Sequence, residues 1–118
     1  MSKDKNKAKR FNVPIYHGVV TIHQVQDLAD FGQRFSPEMD LNNYGAFFTQ
    51  RTNHKGYFEY RLAFNYEVYH GLIAHECLHF VNRLFHNTGM QLDAINDESQ
   101  CYIMGWIVDK CYDFLEVK

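Results

Sequence analysis

In the segment "YFEYRLAF", Phe58, Tyr60, Leu62 and Phe64 alternate with Glu59, Arg61 and Ala63. That two-residue period predicts a strand with one buried face and one wet face. The preceding "YGAFFTQ" has the same character, and "RTNHKG" between them is a polar stretch ending in glycine, so the pair reads as a β-hairpin. Nearer the start, "FNVPIYHGVVTIHQV" is rich in β-branched and aromatic residues around His17-Gly18 and predicts one or two short strands. In "DLADFGQRF" the apolar Leu28, Phe31 and Phe35 recur at helical intervals. Ser36-Pro37 ends that helix, and "PEMDLNN" has loop composition.

The period then lengthens. Asn65 offers a side-chain cap for a long helix beginning near Tyr66, which continues to Asn87-Thr88-Gly89, where the glycine is a stop signal. Around that helix Tyr69, Cys77, Phe80, Val81 and Leu84 fall within about 80° of Ile73 and form the core stripe. A second helix runs from Asn96 or Asp97 to about Leu115, with Asp97 and Glu98 in its first turn, where the helix dipole favours acids. On it Glu98 shares a face with Cys101, Tyr102, Gly105 and Asp109, while Met104, Val108, Cys111 and Leu115 form the apolar flank; Gly105 offers a place for the first helix to approach closely. The expected fold class is therefore α+β: a small antiparallel or mixed sheet packed on two long helices plus a short one.

Composition narrows this picture only at the ends. With 118 residues, 46% of them hydrophobic, the chain suffices for one core without disulfides but not for two domains. Residues 1–10, "MSKDKNKAKR", set five basic groups against one Asp and read as a flexible basic arm on a single domain spanning 11–118. A net charge of −2 argues against nucleic acid as the principal partner, and no stretch approaches the roughly 18 apolar residues needed to span a bilayer. No apolar secretory signal opens the chain, so a cytoplasmic protein is expected. Cys77, Cys101 and Cys111 are an odd set without a CxxC pair, which fits reduced thiols; Cys101 and Cys111 are both expected in the core.

The candidate chemistry lies in "HECLH". Helical residues four apart share a face, so His75 and His79 can converge on one metal ion with Glu76 alongside. On the wheel they fall at about 200°, 240° and 300° from Ile73, and the three are expected to share a face separate from the core stripe. A solvated helix face carries such residues with no function at all, and an acid at the start of a helix serves the dipole. What raises the motif above that is its place in mid-helix and the carboxylate of Glu98 at the start of the next helix. Two imidazoles and one carboxylate leave a fourth tetrahedral position for water, the pattern of catalytic zinc.

"HECLH" followed by "NDESQCY" resembles the zincin metallopeptidases that use a glutamate as third ligand, and more closely the short zinc metallopeptidases encoded by tailed bacteriophages. The resemblance runs from about His75 to Trp106. It implies a zincin-like minimal fold, one zinc ion per chain on His75, His79 and Glu98, and Glu76 as general base in hydrolysis of a protein or peptide substrate. Tyr102, His54 and His86 are candidates for the oxyanion donor that such chemistry needs. The acid that in larger zincins orients the first histidine has no counterpart here: Tyr102 or Cys101 stands in its place, and Asp97 and Asp93 are out of position. "YFEYRLAF" is the candidate edge strand for extended substrate, with Glu59 and Arg61 bordering the cleft. The competing reading is a zinc-binding phage structural or host-interaction protein without turnover. Oligomeric state and the physiological metal stay open, since iron, cobalt or manganese accept the same donors.

Overall fold

A computed structural model describes residues 5–35 and 45–117. Four strands and three helices follow one another as β1 (Lys7–Asn12), β2 (Val19–Gln24), α1 (Leu28–Gln33), β3 (Ala46–Thr52), β4 (Phe58–Phe64), α2 (His70–Asn87) and α3 (Glu98–Phe114). The sheet order is β1-β2-β4-β3; β1/β2 and β3/β4 are antiparallel, β2/β4 is parallel, and the sheet is therefore mixed. This is the expected α+β class. The loop expected over "PEMDLNN" lies outside the described residues.

Register explains the layering. Tyr60, Leu62 and Phe64 of β4 lie level with Val20, Ile22 and Gln24 of β2, and all of these but Gln24 join Ile73, Cys77, Phe80, Leu84, Ile103 and Ile107 of α2 and α3 in one core. On the opposite face α1 covers a smaller cluster of Val25, Leu28, Phe31, Phe47 and Ala63. Ala63 is thus buried although the alternation puts it on the wet side of β4. Arg61 and Glu59 share that opposite face, pairing across the strands with Thr49 and Arg51.

Several local expectations change. Lys7–Arg10, assigned to the basic arm, belong to β1: Lys7 and Lys9 lie on the helix side of an edge strand, with the Lys7 ammonium 4.9 Å from the centre of the Phe114 ring and 3.1 Å from the Phe114 carbonyl oxygen to which it donates. The C-terminus is locked to the sheet by Gln24, whose side chain donates to the Glu116 carbonyl at 2.7 Å and accepts from its N–H at 2.9 Å. Asn65 does not cap α2. Its Oδ1 accepts from the Glu67 N–H in a turn, the helix begins at His70, and Tyr69 ahead of it is exposed. On α3 the buried residues are Ile103, Ile107 and Cys111, while Cys101 is exposed: ten residues turn a helix by about 280° net, enough to swing Cys101 out of the core. A Cβ placed on Gly105 meets nothing within 4 Å, so that glycine does not serve helix contact. Among the described residues no helix is long and apolar enough to cross a membrane.

Candidate metal centre

α2 holds "HECLH" in its middle because one of its faces and its C-terminal end are fixed. Ile73, Cys77, Phe80, Val81 and Leu84 bury one side. At the C-terminal end Gly89 takes φ +75° and donates to the His86 carbonyl at 3.3 Å, while Met90 donates to that of Phe85 at 2.9 Å, a glycine-dependent stop that satisfies the last carbonyls. The motif therefore has regular helical geometry on either side.

His75 Nε2 and His79 Nε2 stand 3.2 Å apart. Two nitrogens each about 2.0–2.1 Å from a tetrahedral zinc ion are separated by about 3.3–3.4 Å, so the imidazoles already have the required bite. The Glu76 carboxylate lies 3.7 Å from His75 Nε2, and the ligand atoms of the three residues fall within 4.8 Å of one another. The histidines face solvent, whereas the Glu76 side chain is only 7% exposed. Burial pushes the Glu76 carboxyl above its usual range, and His75 opposes that shift. Glu76 was expected on the same solvated face as the histidines, but its wheel angle of about 300° lies only about 60° from Ile73, inside the roughly 80° core stripe, and it is buried.

β3 completes the surroundings. Its Phe48 ring lies 6.4 Å from the His79 imidazole with 22° between the planes. Asn87, at the end of α2, donates through Nδ2 to Gln50 Oε1 and, at 3.0 Å, to Tyr60 Oη. Two side chains of β3 thus meet α2. No sequence spacing pointed to Phe48. β3 is also an edge strand, whereas β4, expected to offer the free edge, lies between β2 and β3 with both edges paired. Glu59 and Arg61 lie on the sheet face away from α2 and do not border the cluster.

Glu98 is not brought to the histidines. Cys77 of α2 touches Cys111 of α3 with Sγ atoms 3.7 Å apart, which sets the middle of α2 against the last turns of α3. Glu98 lies about 20 Å along α3 from that contact. Among the described residues the cluster consists of His75, Glu76 and His79. Glu98 and Tyr102 instead share a cavity of about 230 Å³ with Ile15, Tyr16 and Ser99. His54 sits in the β3–β4 turn and His86 in the exposed last turn of α2, neither within the cluster. Asp93 is occupied as a turn acceptor for the Ile95 and Asn96 N–H groups, which hold its carboxyl below the usual range.

Comparison with family models, curated proteins and solved structures finds no match. The functional reading rests on the site itself.

Proposed function

We propose that this protein is a small metal-dependent hydrolase that cleaves peptide bonds, with His75 and His79 holding one zinc ion and Glu76 acting as general base. The observation that carries the proposal is the 3.2 Å separation of the two Nε2 atoms beside a sheltered carboxylate. The resemblance of "HECLH" to the zincin motif supports it.

When bound, a divalent zinc ion supplies Lewis-acid polarisation of a carbonyl and lowers the pKa of a coordinated water towards about 7. Glu76 takes a proton from the attacking water and passes it to the leaving amine. Its burial suits that role, because a carboxyl with a raised pKa holds the proton more firmly between taking it from water and returning it to the amine. The edge of β3 next to α2 offers backbone N–H and C=O groups to an extended peptide.

A second reading keeps the metal and drops turnover. It is favoured by the positions of Glu98 and Tyr102: among the described residues α3 gives the cluster neither a ligand nor a side-chain oxyanion donor. One experiment separates the two. Elemental mass spectrometry should find about one zinc per chain, lost in the His75→Ala/His79→Ala double variant. Glu76→Gln should retain zinc and abolish cleavage of a peptide library. A wild-type protein that binds zinc and cleaves nothing favours the second reading, and one that binds no zinc ends both.

A further inference from the structure

On the sheet face that carries α1, four residues stand level. Arg10 of β1 pairs with Thr21 of β2, Thr21 with Arg61 of β4, and Arg61 with Thr49 of β3. Directly opposed residues share a face, so two guanidinium and two hydroxyl side chains form one row across the strands, on the side away from α2 and α3. Arg10 is exposed; Thr21, Arg61 and Thr49 are half-buried.

Arg61 is short of a counter-charge. Burial first, and the Arg51 charge second, weigh against its cation. Its Nη1 donates to His23 Nε2 at 2.6 Å and its Cζ lies 4.2 Å from the centre of the Phe35 ring, but a neutral imidazole and a benzene ring carry no opposite charge. Glu59, the one carboxylate of β4, has both oxygens engaged: Oε1 accepts from Arg51 Nε at 2.9 Å and Oε2 from Asn53 Nδ2 at 3.1 Å. Among the described residues neither Arg61 nor Arg10 forms an ion pair. A sheltered charge is ordinarily matched by an opposite one, and of the five N–H donors of a guanidinium His23 takes only one of Arg61's.

The row has the dimensions of an anion site. Strands lie about 4.8 Å apart, so the backbones of Arg10 and Arg61 are separated by about 9.6 Å with Thr21 between them, and both side chains can close on one tetrahedral anion above the Thr21 hydroxyl. Arg10 also borders a cavity of about 330 Å³ together with Asn12, His17, Asn53 and Tyr57. We infer that this face binds a small phosphate monoester, with the phosphate held by Arg61, Arg10 and Thr21 and the organic group in the adjoining cavity. Phosphate fits better than carboxylate because its three free oxygens serve two guanidinium forks and a hydroxyl at once. The site lies across the sheet from α2 and does not depend on the metal centre proposed above.

The test is calorimetry of the full-length protein at neutral pH and low salt, with phenyl phosphate, inorganic phosphate and a thymidine oligonucleotide as probes. Phenyl phosphate should bind, and inorganic phosphate, which leaves the cavity unfilled, should bind more weakly. Arg61→Gln and Arg10→Gln should each weaken phenyl phosphate about tenfold, the size expected of a charge-assisted contact. Lys9→Gln removes the same charge from the other face of β1 and should alter the affinity by less than about twofold. Arg61 also packs on His23 and Phe35, so its variant is read alongside its melting temperature; Arg10, exposed on an edge strand, tests the site without that complication. Binding should survive in the His75→Ala/His79→Ala variant, and its loss there would give the phosphate to the metal centre and overturn the assignment. Failure of phenyl phosphate to bind, equal affinity for the two phosphates, or equal weakening by Lys9→Gln would overturn it too. Binding of the oligonucleotide alone would do the same, making the row a contact for a nucleic-acid strand.

Discussion

The Phe48 ring lies beside the His79 imidazole with centroids 6.4 Å apart and planes inclined by 22°, linking edge strand β3 to the histidine-bearing face of α2. A ring in that position limits rotation of the imidazole about its side-chain torsions and so preorders Nε2 towards His75. Phe48→Leu should keep most of the apolar contact with the core, costing about 1 kcal/mol, yet weaken zinc binding about threefold to tenfold. Competition with a chelating dye measures the affinity and urea unfolding the stability. Lower stability with unchanged zinc affinity would reduce Phe48 to a core filler.

On the other side of the sheet, Arg61 Nη1 lies 2.6 Å from His23 Nε2. A guanidinium has only donors, so this nitrogen of His23 accepts and the imidazole is neutral, with its proton on Nδ1. Burial first, and the Arg61 charge second, lower the His23 pKa from 6.5 to about 4. Between those values the unfolded chain binds a proton that the folded chain does not. The stability contributed by neutral His23 is therefore complete above about pH 6.5 and is lost as pH falls towards 4, by on the order of 2 kcal/mol after allowing for solvent at its rim. Denaturant midpoints measured across that range should drop less steeply for His23→Gln than for the wild type. Parallel slopes would refute the assignment.

The three cysteines should react unequally. Cys77 and Cys111 are buried with their sulfurs in contact, and the shared hydrogen bond and burial raise the Cys111 pKa, so it stays a thiol; Cys101 is exposed. A disulfide dye should modify one thiol in the native protein and three in guanidinium. Rapid modification of two or more native thiols would mean that the α2–α3 contact opens readily.

Much of this fold is legible in the chain because its signals are local. The alternation in β4, the hairpin loop before it and the glycine that stops α2 each act over a few residues, and the structure has them where the pattern puts them. A local signal loses where it has a distant competitor. Lys7–Arg10 look like a solvated tail by composition, but pairing with β2 supplies the ladder that makes them a strand. Asn65 has the chemistry of a helix cap and spends it on a turn instead.

The candidate site divides in the same way. The sequence alone determined that His75 and His79 share one helical face, because four residues make about one turn whatever surrounds the helix. The burial of Glu76, the edge position of β3 beside His79 and the distance of Glu98 from the histidines depend on how α2 lies on the sheet and on α3. Those relations are set by packing between residues far apart in the chain, chiefly Cys77 against Cys111 and Asn87 against Gln50 and Tyr60. Spacing along one helix sets Glu76 about 60° from Ile73, at the flank of the core stripe, but cannot encode what packs over that flank or where α3 carries Glu98; only the tertiary structure decided those.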